Sequence, residues 1–127
     1  MQKIVLTANK RPLARYNNAV IAEGKFVFIS TQPSMDWEKG TFVDGDIYEQ
    51  SQKALENLFF FLKKAGASAE NVVKVGIFLA DLQDFSAMNT VYERFFTDSE
   101  RAPTRFTLQT SFPDKRIKIE FEAIAVL

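Results

Sequence analysis

"TRFTLQTSFPDKRIKIEFEAIAV", residues 104–126, decides the fold class. It reads as two strands and a turn, because both flanks alternate with a period of two. In the first, Phe106 and Leu108 share one face and Arg105, Thr107 and Gln109 the other. In the second, Ile117, Ile119, Phe121 and Ala123 share one face and Lys118, Glu120 and Glu122 the other. If the two strands are neighbours, Arg105, Thr107, Glu120 and Glu122 lie on one face. Such a pattern is commonly a cross-strand salt bridge. It also suits a guanidinium that grips a ligand carboxylate bidentately, with a glutamate beside it as general base on water.

Upstream of this stretch the periodicity changes. Ile47, Ser51, Ala54, Leu55, Leu58, Phe59 and Leu62 follow helical spacing from about Asp46 to Ala65, with Lys63 and Lys64 in the last turn and Gly66 as the stop. "NVVKVGIFLA" is apolar at nearly every position, like a strand covered on both faces. A second helix carries the stripe Phe85, Met88, Val91, Tyr92, Phe95 and Phe96, with Asp84 as its expected N-cap. Nearer the start, "AVIAEGKFVFIS" reads as a hairpin turned at Gly24, after a short first strand in "MQKIVLT" and a polar loop. "TQPSMDWEKGTFVDGD" is a long polar connection. The expected order is strands, helix, strand, helix, two strands: a single α+β domain over residues 1–127.

Two helices cover one face of such a sheet. "KFVFIS" is apolar on both faces, and the last strand's polar side turns apolar at Ile124 and Val126. A large uncovered apolar face marks an interface, so a homo-oligomer closed by symmetry is expected.

Composition narrows the chemistry. With 127 residues, 46% of them hydrophobic, the chain can bury a real core, and thirteen Phe against one Trp and three Tyr place much aromatic area inside it. The formal net charge of zero argues against a broad nucleic-acid footprint. There is no Cys and no His, so disulfides, thiol chemistry, the usual zinc ligands and the commonest general base are excluded. No calcium-loop rhythm, phosphate loop or dinucleotide fingerprint occurs, and no metal is expected. No leader and no long apolar run open the chain, and the expectation is a soluble cytoplasmic protein without a membrane partner.

Five further residues are candidates for a site. Tyr16 in its loop reads ordinarily as an anchoring aromatic, Ser30 and Thr31 at a strand end as turn hydroxyls, and Asn89 in the second helix as a solvated amide; Thr107 shares the Arg105 face of its strand.

Together, "ISTQ", "GDIYEQSQKALENL", "LKKAGAS", "VVKVGIFLADLQDFSAMNTVYERFF", "APTR" and "IKIEFEAIAV" resemble the RidA/YjgF family of enamine/imine deaminases, from about Tyr16 to Val126. The resemblance implies a chorismate-mutase-like fold, two helices on one face of a mixed sheet. It also implies a homotrimer with an inner sheet barrel and active sites in clefts between subunits. The implied activity is cofactor-independent hydrolysis of reactive 2-imino acids to 2-keto acids and ammonia. The family's substrate-gripping arginine matches Arg105 and its acid matches Glu120. Its loop tyrosine, strand-end serine and helix asparagine match Tyr16, Ser30 and Asn89. Backbone groups near Thr107 would orient the imine nitrogen. Departures are present: Ala14-Arg15-Tyr16 stands where the family has Gly-Pro-Tyr, Thr31 replaces a glycine, and Phe106-Thr107 replaces Ser-Cys. They mark a divergent subgroup. The alternatives are a non-catalytic module that binds or senses a small carboxylate, and an RNA-acting protein, against which the zero charge and missing His count. Glu122 is expected to pair with Lys115 or Lys118.

Overall fold

The computed structural model describes residues 2–127. Eight strands and two helices follow in the order β1 (Gln2–Leu6), β2 (Ala19–Glu23), β3 (Phe26–Gln32), β4 (Met35–Asp36), β5 (Thr41–Phe42), α1 (Ile47–Lys64), β6 (Val72–Leu79), α2 (Phe85–Phe95), β7 (Thr104–Gln109) and β8 (Ile119–Val126). The main sheet has the order β3-β8-β6-β7, with β6 and β7 parallel and the other pairs antiparallel. The fold is the expected mixed α+β.

Helix α1 forms where the sequence signals it. Asp46 and Glu49 close a capping box, the Glu49 amide donating to Asp46 Oδ1 at 2.9 Å and the Asp46 amide to Glu49 Oε1 at 3.1 Å. Its stripe of Ala54, Leu55, Leu58 and Leu62 is fully buried against the sheet, so trimming Leu58 to Ala would cost about 2–5 kcal/mol. Gln50 is also fully buried, and its amide is satisfied: Nε2 donates to the carbonyls of Arg116 (2.9 Å) and Gly45 (3.1 Å), and Oε1 accepts from the Lys118 amide at 2.9 Å. From α2, Tyr92 stacks on Phe96 (centroids 4.4 Å apart) and on Phe121 of β8 (6.4 Å), tying both helix and sheet into one core. The Asp84 side chain does not cap α2; Asp81, three residues earlier, accepts from the Gln83 amide and starts a short 3-10 turn that leads into the helix.

Three sequence expectations need correction. First, β7 and β8 are not neighbours, because β6 lies between them. The register runs Arg105–Val75–Ala123, Phe106–Gly76–Glu122, Thr107–Ile77–Phe121 and Leu108–Phe78–Glu120. Side chains in one row share a face. Arg105 and Thr107 therefore lie with Phe121 under the helices, and Glu120 and Glu122 lie on the opposite face. Second, β6 is covered on one face only: Val75, Ile77 and Leu79 are buried, whereas Lys74 is exposed and Phe78 half-buried on the other side. Gly76 is obligatory there, since a Cβ would come within 2.7 Å of the Phe106 ring and 2.8 Å of Glu122 Cγ. Third, β2 pairs with β1 and not with β3, so "AVIAEGKFVFIS" is not a closed hairpin. The reason lies at the chain's end. Lys25 and Leu127 exchange backbone hydrogen bonds (3.2 and 2.8 Å), which commits the chain after Gly24 to β8. Gly24 turns at φ +141° against the Leu127 carbonyl, where a Cβ would be only 2.1 Å away.

The uncovered face is mixed: Lys74, Glu120 and Glu122 lie on it beside exposed apolar side chains, Phe28 at 74%, Phe26 at 54% and Leu108 at 53% exposure. The polar connection after β3 contains the β4–β5 hairpin, turned around Asp36, whose carboxylate accepts from the amides of Glu38 and Lys39.

Candidate functional site

Arg105 projects from β7 toward α2. Its Nη2 donates to Asn89 Oδ1 at 2.6 Å. Aromatic rings surround the rest of the guanidinium, with Tyr92 at 4.7 Å, Tyr16 at 5.5 Å and Phe85 at 5.7 Å from Cζ to ring centroid. Nη1 is buried and has no hydrogen-bond acceptor. Burial pushes the Arg105 pKa down, with the neighbouring tyrosines opposing it, and a guanidinium stays charged through such a shift. Ion pairs among the described residues join Arg101 to Glu70 and Arg116 to Asp114; Arg105 is in neither. A half-buried guanidinium with a buried, unpaired N–H and no ion pair has the chemistry to accept an anion. The Tyr92 hydroxyl lies buried beside it without a hydrogen-bond partner, and burial raises the Tyr92 pKa against the pull of the Arg105 charge.

Tyr16 reaches Arg105 because its loop is tied down on both sides. Asn17 Nδ2 donates to the carbonyls of Ser99 and Ala102, each at 2.9 Å, and its own amide donates to Pro103 O at 2.9 Å. Arg11 Nη1 donates to Asn17 Oδ1 at 3.1 Å, and Arg15 Nη1 to Thr97 O at 2.6 Å. Asn17 is 1% exposed and fully hydrogen-bonded. The sequence reading missed it, because a loop asparagine carries no mark of which distant carbonyls it serves. Arg15, one of the departures from the family pattern, is likewise an anchor, its guanidinium reaching the chain just after α2.

The acid occupies another setting. Glu120 is half-buried on the uncovered face, near Thr31 of β3; burial raises its pKa, and the nearby Thr31 side chain partly offsets that. A carboxyl held up in this way is poised to exchange a proton. Ser30 and Thr31 occupy an irregularity in the β3–β8 register, where two residues of β3 face one of β8. Ser30 opens onto a cleft of about 250 Å³ lined with Phe28, Glu122 and Ile124. Glu122 packs over Gly76, and Lys118 is occupied elsewhere, donating to the Gly45 carbonyl at 3.1 Å; the expected Glu122–Lys118 pair is absent.

The seven residues singled out in the sequence thus fall into two groups. Arg105, Tyr16, Asn89 and Thr107 belong to the helix-covered side, Tyr16 and Asn89 each in contact with Arg105. Glu120, Thr31 and Ser30 belong to the uncovered side. Within one chain the two groups do not converge. Among the described residues, no cluster of His, Cys, Asp or Glu could hold a metal ion, and no helix is long and apolar enough to cross a membrane.

Known proteins match this chain along its length. The family model described as Endoribonuclease L-PSP covers residues 7–127. A RutC family protein of Pyrococcus abyssi is 42% identical over 98% of both chains. A 2-iminobutanoate/2-iminopropanoate deaminase of Capra hircus is 40% identical, covering 99% of this chain and 90% of its own. Among solved structures, E. coli TdcF with bound serine superposes with a TM-score of 0.72 at 32% identity, over 99% of each chain. The chain belongs to the RutC/YjgF/RidA family.

Proposed function

We propose that this protein hydrolyses reactive 2-imino acids to 2-keto acids and ammonia, in the cytoplasm and without a cofactor. The observation that carries the reading is the Arg105 guanidinium: half-buried among Tyr16, Phe85 and Tyr92, oriented by Asn89, and left with a buried, unpaired Nη1 and no ion pair. A planar cation so fixed fits a carboxylate through paired, charge-assisted hydrogen bonds. The deaminase name of relatives at about 40% identity, and the serine held by TdcF, supply the class of ligand: a small α-nitrogen carboxylic acid.

Hydrolysis then needs water and a base near the imine carbon. Glu120, with its raised pKa, takes a proton from water as the oxygen bonds to that carbon. That proton passes to nitrogen to give the carbinolamine; Glu120 then moves the carbinolamine's hydroxyl proton to nitrogen as the C–N bond breaks and the C=O bond forms, and ammonia and the keto acid leave. Backbone groups at Thr107 orient the nitrogen, and Tyr16, Ser30 and Thr31 shape the pocket. Since Arg105 and Glu120 lie on opposite faces of one sheet, the complete site joins Arg105 of one subunit to Glu120 of another. A homotrimer whose uncovered faces form an inner barrel does this and also buries Phe26, Phe28 and Leu108.

In the test, an amino-acid oxidase or threonine dehydratase generates the imine while semicarbazide traps what survives. Wild type should deplete the trapped product and Arg105→Ala should not. Undiminished depletion by Arg105→Ala would remove its role. A second reading is a binding module for small carboxylates, favoured by an arginine cage that is complete in a single chain while the acid is not. Calorimetric binding without turnover of any imine would select it. The ribonuclease wording of the family model finds no support in a chain with zero net charge and no His.

A further inference from the structure

Strands β2 and β3 each carry an unpaired edge, and only Gly24 and Lys25 separate them. β2 bonds to β1 alone, and β3 to β8 alone. Unpaired edges of this kind are templates for another strand. Beside β3 runs a groove of about 460 Å³, lined with Val27, Phe28, Ile29, Phe61 and Lys64. On the arm formed by β1 and β2, Ile21 is 55%, Leu6 45% and Ile4 43% exposed.

The side chains match in one register. A two-residue Gly24-Lys25 turn would set Ile21 opposite Phe28, Val20 opposite Ile29 and Ala19 opposite Ser30. In that register the observed pairs Ile4–Ile21 and Phe28–Ile124 join into one apolar row on the uncovered face. On the other face Val5–Val20 and Ile29–Ala123 join into a second row, continuous with the core. A shift by one residue would break both rows at once. The chain therefore encodes a β2–β3 pairing that its own β2 does not make.

The arm is held away from its own β3. Lys3 Nζ, buried, donates to the carbonyls of Glu70 (3.0 Å), Val72 (2.8 Å) and Arg101. Asn17 fastens the other end of the arm to the turn before β7. To close on its own β3, the arm would have to give up these bonds and leave a buried ammonium unsatisfied. A second copy can supply the missing strand with every anchor kept.

We infer that β2 of each chain pairs with the open edge of β3 in an adjacent copy, antiparallel and in the Ile21–Phe28 register, so that the N-terminal arms link the subunits. The donor edge and the acceptor edge differ, so the contact is head-to-tail, and in the proposed trimer it runs once around the ring. The inference rests on the oligomer proposed above and specifies which edges build it.

The absence of Cys makes the test clean. Ile21→Cys carrying one tag and Phe28→Cys carrying a tag of different mass are refolded together and mildly oxidised. Both positions are exposed, so both variants should fold, which circular dichroism checks. The result expected is a disulfide joining the two different chains, and the same for Ala19→Cys with Ser30→Cys. The off-register mixture of Ile21→Cys with Ser30→Cys should give at least ~10-fold less. The double variant Ile21→Cys/Phe28→Cys should crosslink into multimers. A disulfide confined to one chain, or none, overturns the arm exchange. Light scattering on the same samples keeps the two ideas apart: a trimer without these disulfides spares the oligomer and removes the exchange, whereas a monomer removes both.

Discussion

Arg105 and Glu120 are separated by a single strand, yet their surroundings differ in kind. On the helix-covered face the cation has rings on several sides, an amide holding one nitrogen, and a loop clamped by Asn17 to bring Tyr16 over it. On the uncovered face the acid has Thr31 beside it and exposed aromatics around it. The first setting is preorganised by one chain. The second is what a half-built interface looks like. The difference teaches that one chain by itself orders the surroundings of the guanidinium but not those of the carboxyl; under the proposed function, binding is encoded in the fold of the subunit and proton transfer waits on assembly.

The largest effects should come from breaking the cation. Arg105→Ala is expected to lower kcat/KM for an imino acid by about 10³-fold, and Arg105→Lys by about 10²-fold, since an ammonium keeps the charge and loses the paired geometry. Equal activity of the lysine variant would show that charge alone suffices.

Next comes the acid. Glu120→Gln should lower kcat by about 10²-fold with little change in KM. Its effect on stability has the opposite sign. A carboxyl whose folded-state pKa is raised penalises the folded state once it ionises. The penalty is absent below the ordinary Glu value, ~4.3, and fully developed above the raised folded value. Thermal unfolding should therefore show Glu120→Gln gaining on wild type as pH climbs through this window. A Tm difference independent of pH would contradict the burial assigned to Glu120.

Smaller effects should follow from the supports of the arginine. Asn17→Ala leaves the Ser99 and Ala102 carbonyls without their donor and Arg11 Nη1 without its acceptor, and should cost about 1–3 kcal/mol of stability while raising KM more than it lowers kcat. Tyr92→Phe keeps the ring over Arg105 and deletes a hydroxyl without a partner, so urea unfolding should report a change within about 1 kcal/mol, toward greater stability, with turnover retained.

The elements of this fold were legible in the sequence wherever a single chain segment carries the signal. Asp46, Glu49, Lys63 and Gly66 mark both ends of α1, and alternation marks β7 and β8. Strand order was not legible, because alternation tells which residues share a face of one strand and is silent on which strand lies alongside. Inserting β6 between β7 and β8 sent Arg105 and Glu120 to opposite faces. The turn chemistry of Glu23-Gly24-Lys25 likewise promised a closed hairpin, and tertiary contacts at Lys3 and Leu127 prevailed over it. Of the site, the residue types were legible and the grouping was not. The Asn17 clamp depends on carbonyls more than eighty residues away, which no local pattern announces.

The central claim is that one site is completed by two chains, and subunit mixing tests it most directly. Arg105→Ala and Glu120→Gln, each inactive alone, are unfolded, mixed in equal amounts and refolded, and imine hydrolysis is read by the semicarbazide trap. In randomly assembled rings about a quarter of the clefts should receive both native residues, so activity should rise to up to about a quarter of wild type. Activity no greater than the sum of the two separate variants would place Arg105 and Glu120 of a working site in the same chain and contradict the account.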